Sequence, residues 1–118
     1  ILSANKDVAG FFAANDDMAL GIARAVADAG RTGEVTIISV DGIEDALKAI
    51  QSGDLYATVA QYPYAIGQMG VQACKKATAG DELPSNITAP VAVVTKADAD
   101  EALAKFPAPF KPFQNPLA

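Results

Sequence analysis

Short apolar stretches and stretches of helical periodicity alternate along this chain. Each apolar stretch is rich in Val, Ile, Thr or Ala, and each gives way to polar residues. Such runs are typical of strands that are buried on both faces of a sheet. The predicted strands cover residues 7–14, 35–40, 55–61 and 90–95.

Between the strands, apolar residues recur three or four positions apart, as they do on one face of a helix. Gly30, Gly53 and Gly80 follow three of these segments, and glycine commonly ends a helix. The alternation of strands and helices predicts an α/β fold whose strands pair in parallel through right-handed crossovers. The predicted helices cover residues 16–29, 43–52, 64–79 and 99–106.

Polar side chains stand where the first three predicted strands end: Asn15, Asp41 and Gln61. Because the carboxyl ends of parallel strands meet at the edge where open α/β sheets bind ligands, we expect these side chains to lie close together. A carboxylate accepts hydrogen bonds, and the two amides both accept and donate them, which suits a ligand with several hydroxyl groups. The alternative is that Asn15 and Asp41 only cap helices and that Gln61 is a solvated strand end.

Composition narrows the classes of function. The net charge of −5 and the pI near 4.4 argue against a nucleic-acid partner, since phosphate contacts need clustered Lys and Arg. No basic residue stands at the three strand ends, so a neutral sugar or polyol fits better than an anionic ligand. The absence of His and the single Cys exclude a histidine-based triad, a zinc cluster and an internal disulfide. We therefore predict a binding protein and not an enzyme, with no metal and no cofactor.

The first residues, Ile1 to Asn5, look like the last turn of an amphipathic helix, with neither an initiating Met nor a signal peptide before them. We therefore expect this sequence to be a carboxyl-terminal fragment of a longer protein. No apolar stretch approaches the roughly 18 residues of a membrane span, so we expect no direct membrane insertion.

Three motifs stand in a fixed order along the chain: ANDDMALG at residues 14–21, VDG at 40–42 and AQYP at 60–63. With their separations, they closely resemble the carboxyl-terminal half of periplasmic sugar-binding proteins of the ribose-binding type, which serve ABC transporters. The resemblance covers most of residues 8–95. It implies the periplasmic binding protein type I fold with a doubly wound parallel sheet, a periplasmic or extracytoplasmic location and delivery of the bound sugar to a membrane permease.

In that family the sugar lies between two lobes. The resemblance implies that Asn15, Asp41 and Gln61 bind sugar hydroxyl groups, because they occupy the matching positions of the three motifs. Tyr62 and Tyr64 flank the predicted hinge and are candidates for the rim of the cleft. The amino-terminal lobe, expected as a partner in the same protein or in another chain, is absent from this sequence.

The resemblance also divides the chain into four parts. We expect the last part, which lies outside the family pattern, to run along the surface or to be disordered, with Phe110 and Phe113 as possible anchors. The parts are the carboxyl-terminal lobe (1–62), a hinge crossing and a helix of the other lobe (63–89), a return strand with a short helix (90–106) and a Pro-rich tail (107–118).

The runner-up function is the effector-sensing domain of a transcription regulator of the lactose-repressor type, which resembles the transport proteins in fold and motifs. The negative net charge and the AQYP motif at the predicted hinge favour the transport protein. On the third helix we expect Cys74 to be a small buried hydrophobic residue. We also expect this helix and the sheet to leave apolar area exposed, so that the fragment associates with itself.

Overall fold

The computed structural model describes residues 1–118 and contains all eight predicted elements. The helices match their predicted bounds closely, whereas the strands are shorter than the apolar runs that contain them. The strands are β1 (Gly10–Phe12), β2 (Thr36–Asp41), β3 (Ala57–Ala60) and β4 (Ala92–Thr95). The helices are α1 (Asp16–Asp28), α2 (Glu44–Ser52), α3 (Pro63–Ala79) and α4 (Ala99–Lys105).

One four-stranded sheet has the order β1-β2-β3-β4. The first three strands are parallel, with Phe12 beside Ile38 in one pair and Ser39 beside Thr58 in the other. The expectation of parallel pairing throughout is wrong for β4, which runs antiparallel to β3. A parallel return needs a crossover that packs across the sheet, but α3 makes no extensive contact with any strand. The chain therefore re-enters the sheet from the edge at which β3 ends.

Helices α1, α2 and α4 pack on one face of the sheet. Two clusters of buried apolar residues form this layer. One centres on Ile37 of β2 and Ile50 of α2, and the other on Val94 of β4 and Leu47 of α2. The first cluster holds α1 and α2 against the parallel strands, and the second seats α4 against β4.

The opposite face of the sheet is bare. Because side chains alternate between the two faces of a strand, the neighbours of the buried residues point away from the core. Phe12, Ile38 and Val93 lie on this side and are 68%, 38% and 53% exposed. No helix within residues 1–118 covers them, so an apolar surface remains in contact with water.

Helix α3 extends away from the sheet, and the molecule is elongated, measuring 60 × 27 × 15 Å. Only Ala65 and Met69 of this helix are buried, while Val71 is 72% exposed. The expectation that Cys74 is buried is wrong, since its side chain is exposed. The apolar stripe of α3 has no partner along most of its length, which explains the difference.

The Pro-rich tail is anchored at two places. Phe110 lies in the second core cluster and is only 3% exposed, as predicted, while Phe113 is only half-buried. Further along, the Asn115 side-chain amide donates a hydrogen bond of 2.6 Å to Oε1 of Gln72 on α3. The tail therefore runs from the core cluster to the middle of α3.

The bare sheet face leads to a prediction about the isolated 118-residue chain. We expect concentration-dependent self-association in sedimentation velocity, because contiguous exposed apolar surface favours association. A double variant with Phe12→Ser and Val93→Thr should be monomeric at concentrations at which the parent associates. Ile1→Thr, at a residue 79% exposed and outside this face, is the matched control and should associate like the parent. A parent chain that is monomeric at all concentrations would contradict the prediction.

Candidate functional site

Asp41 ends β2 with a backbone conformation that is rare for a residue with a side chain. Its φ is 130°, and the φ of Gly42 after it is 80°. A conformation of this kind costs of order 1–3 kcal/mol and persists only where neighbouring contacts impose it. The Asp41 carboxylate is half-buried, and it forms no hydrogen bond and no ion pair within the chain. The oxygens of this carboxylate are thus free to accept further hydrogen bonds.

The interpretation of Asp41 as a helix cap is wrong. Helix α2 has Ile43 at its cap position, without a side-chain hydrogen bond. The backbone amides of Gly42 and Ile43 instead donate to Oδ2 of Asp16, at 2.7 and 2.9 Å. The acceptor at the start of α2 therefore comes from α1, and the Asp41 carboxylate takes no part in it.

Asn15 does cap a helix, as one of the two interpretations predicts. Its Oδ1 accepts a hydrogen bond of 2.9 Å from the backbone amide of Met18, in the first turn of α1. Its Nδ2 has no acceptor within the chain. Because capping uses only the oxygen, Asn15 can fix the start of α1 and still donate to a ligand.

Gln61 lies beside Asp41 at the end of the neighbouring strand. Its backbone amide donates to the Asp41 carbonyl oxygen at 2.9 Å, which extends the pairing of β2 with β3 by one residue. Its side-chain amide is exposed and has no partner within the chain. The structure therefore places Asn15, Asp41 and Gln61 on one edge of the sheet, each with free hydrogen-bonding atoms.

The two tyrosines of the predicted cleft rim differ in position. Tyr62 lies in the second core cluster, is 8% exposed and has a φ of 52°. It also borders the cavity at the carboxyl edge of the sheet, together with Gln61. Burial raises the pKa of its hydroxyl above its ordinary value, while the nearby backbone of Phe110 acts in the opposite direction. Tyr64 is 52% exposed at the start of α3 and remains a candidate for the rim.

A cavity of about 370 Å³ adjoins the carboxyl edge of the sheet. Asp41 and Gln61 are among its polar lining groups, and most of the remaining wall is hydrophobic, including Tyr64 and Phe106. None of the residues that line this cavity is Lys or Arg, so no basic side chain lines it to receive an anionic ligand.

One residue at the site was not predicted from the sequence. Asp16 is fully buried and accepts hydrogen bonds from the hydroxyls of Ser39 and Thr58, in addition to the two backbone amides. In the sequence, Asp16 stands out only as an acidic residue in the first turn of a helix, where it suits the helix dipole. A usable signal was the pair of hydroxyls at inward positions of two neighbouring apolar strands, since buried hydroxyls need a partner.

No group of three or more His, Cys, Asp or Glu residues is arranged to hold a metal ion. None of the helices combines the length and the apolar character that a bilayer crossing requires.

Comparison with known proteins identifies relatives of this chain. Residues 1–82 match the family described as "Periplasmic binding protein domain". The D-allose-binding periplasmic protein of Escherichia coli K12 is 44% identical over 72 residues, which are 61% of this chain and 23% of that protein. The ribose import binding protein of Haemophilus influenzae is 38% identical over 96 residues, 81% of this chain and 32% of that protein.

Among solved structures, a periplasmic solute-binding protein of an ABC transporter from Actinobacillus succinogenes 130z, with bound D-allose, superposes with a TM-score of 0.81. The sequence identity is 33%, and the match covers 84% of this chain and 35% of that one. The chain thus spans from about a quarter to a third of the length of these relatives.

The contact between the Asp41–Gly42 turn and β3 generates a prediction about stability. A Cβ on Gly42 would lie 2.5 Å from Cβ and 2.7 Å from Cα of Ala60, whereas at Gly53, with φ 95°, only the flexible Lys96 amine comes within 4 Å. We expect Gly53→Ala to cost about 1–2 kcal/mol from its left-handed backbone. Gly42→Ala should cost at least about 1 kcal/mol more, since it also overlaps β3.

The measurement is chemical denaturation of the two variants and the parent in the full-length protein. Equal losses for Gly42→Ala and Gly53→Ala would show that the turn moves freely away from β3.

Proposed function

This chain belongs to the periplasmic binding protein family, and from that premise we propose that it forms most of the carboxyl-terminal lobe of the solute-binding component of an ABC transporter. The whole protein binds a neutral monosaccharide or polyol between two lobes. It acts in the periplasm or an equivalent extracytoplasmic space and delivers the ligand to a membrane permease. Binding and release of the ligand, without chemical change, is the activity.

The observation that carries this proposal is the unpaired Asp41 carboxylate, with the unpaired Nδ2 of Asn15 and the unpaired side-chain amide of Gln61 at the ends of the neighbouring strands. The carboxylate accepts from ligand hydroxyls, and charge-assisted hydrogen bonds of this kind contribute roughly 1.5–3 kcal/mol each. Asn15 offers donors through Nδ2, and Gln61 offers both donors and an acceptor. This combination complements a ring or chain of hydroxyl groups and leaves no charge on the ligand to be neutralised.

The names of the relatives support the ligand class. The relatives from Escherichia coli and Haemophilus influenzae are named for D-allose and ribose, and the structure from Actinobacillus succinogenes holds D-allose. All of these are neutral sugars. None of these relatives is a transcription regulator, so the effector-sensing alternative receives no support from them.

We assign residues 63–89 to the hinge crossing and to the opposite lobe. Two observations support this assignment: α3 projects away from the sheet, and only Ala65 and Met69 of the helix are buried. In the intact protein the exposed stripe of α3 packs in the other lobe, and closure of the two lobes about the ligand produces the form that the permease recognises. Tyr64, at the start of α3, then lies at the rim of the cleft.

The ligand class is tested by a thermal-shift screen of the full-length protein against pentoses, hexoses, polyols, amino acids and nucleotides. We expect at least one neutral sugar or polyol to raise the midpoint of unfolding, because a ligand that binds only the folded state stabilises it. Stabilisation by an amino acid or a nucleotide, with none by any neutral sugar or polyol, would overturn the proposal.

The role of Asp41 is tested by isothermal titration with the sugar that the screen identifies. Asp41→Ala should weaken binding by at least about tenfold, the loss expected for one charge-assisted hydrogen bond. The fold should be retained, since no group within the chain bonds to this carboxylate. Asp7→Ala removes the same charge from an exposed residue near the opposite end of β1 and should leave affinity unchanged. Equal affinities of the Asp41→Ala variant and the parent would remove Asp41 from the site.

A further inference from the structure

We propose that Asp16 is a positioning residue of the ligand site: it holds the turn at Asp41 and Gly42 in its binding shape before any ligand arrives. This inference rests on the proposed function, because it concerns the same site. Asp16 itself is fully buried and does not reach the ligand. It acts through the two residues whose backbone it fixes.

The two oxygens of the Asp16 carboxylate have different partners. Oδ1 accepts from the hydroxyls of Ser39 on β2 and Thr58 on β3, the latter at 2.7 Å. Oδ2 accepts from the backbone amides of Gly42 and Ile43, at 2.7 and 2.9 Å. One oxygen therefore anchors α1 to two strands, and the other holds the turn that leads from β2 into α2.

The turn requires such a constraint. Asp41 and Gly42 have φ values of 130° and 80°, and only Tyr62 among the other non-glycine residues has a positive φ. Strained backbone at a ligand site persists where surrounding contacts impose it. Oδ2 of Asp16 accepts from the amides of Gly42 and Ile43, the two residues after Asp41. Asp16 therefore opposes relaxation of the Asp41 backbone directly.

Asp16 also links two ligand-binding candidates to each other. It follows Asn15 in the chain, and its carboxylate bonds to the amide that follows Asp41. The separation between Asn15 and Asp41 is therefore set by one buried side chain with little freedom. A supporting group of this kind, locked by its own hydrogen bonds, keeps a binding geometry within tight limits.

The test compares Asp16→Asn with Thr58→Val in the full-length protein. Asparagine keeps the shape of the side chain but has only one acceptor oxygen, and its NH2 group donates where the second carboxylate oxygen accepted. The remaining oxygen is neutral, and charge-assisted hydrogen bonds are about twice as strong as neutral ones. Thr58→Val removes one hydroxyl donor of Oδ1 and leaves both bonds of Oδ2 to the turn in place. The two readouts are hydrogen exchange of the Gly42 and Ile43 amides without ligand and sugar affinity by titration.

We expect Asp16→Asn to speed exchange of the two amides and to weaken sugar binding, each by about tenfold. Thr58→Val should lower the midpoint of thermal unfolding but leave exchange at the turn and affinity within about twofold of the parent. If Asp16→Asn lowers only the thermal midpoint and leaves both readouts unchanged, Asp16 has a structural role alone and the proposal is overturned.

The exchange readout separates this proposal from the proposed function. If the protein binds no neutral sugar, the proposed ligand class is overturned. Faster exchange at Gly42 and Ile43 in the Asp16→Asn variant would then still show that Asp16 constrains the turn. Sugar binding that is unaffected by Asp16→Asn would uphold the ligand class while overturning the positioning role.

Discussion

The buried carboxylate of Asp16 connects α1 to β2, to β3 and to the start of α2 at the carboxyl edge of the sheet. A charged group without water must be matched by hydrogen-bond donors, because an unpaired buried charge is very costly. Asp16 meets four donors, two hydroxyls from the strands and two backbone amides from the start of α2. Each donor belongs to a segment whose position is thereby tied to α1, so the geometry of this edge follows from the requirement that one charge be satisfied.

Two aspartates less than thirty residues apart have opposite hydrogen-bonding states because their surroundings differ. Asp16 is saturated by the protein and has no capacity left for a ligand, whereas Asp41 has no partner in the protein and a strained backbone. Their residue type is the same, and neither position alone reveals the difference. Asp16 accepts from the backbone amides of Gly42 and Ile43, which follow Asp41 in the chain. The carboxylate of Asp41 therefore remains available to solvent.

Periodicity in the sequence predicted all eight elements, because side-chain spacing reports directly which face of an element is buried. It could not predict the direction of β4, since direction depends on the path of α3 outside the sheet. The burial of Tyr62 and the exposure of Cys74 were missed for a related reason. Each depends on which segments, distant in sequence, pack against the residue.

The tail has a mechanical consequence for α3. This helix is joined covalently at Pro63 to the end of β3, where Tyr62 is buried, and the bond between Asn115 and Gln72 adds a brace near its middle. A helix that is fixed only at its first residue can rotate about that point, whereas a second contact along its length restricts this rotation. Because Phe110 holds the tail in the core, the contact of Asn115 with Gln72 restricts the movement of α3 about Pro63.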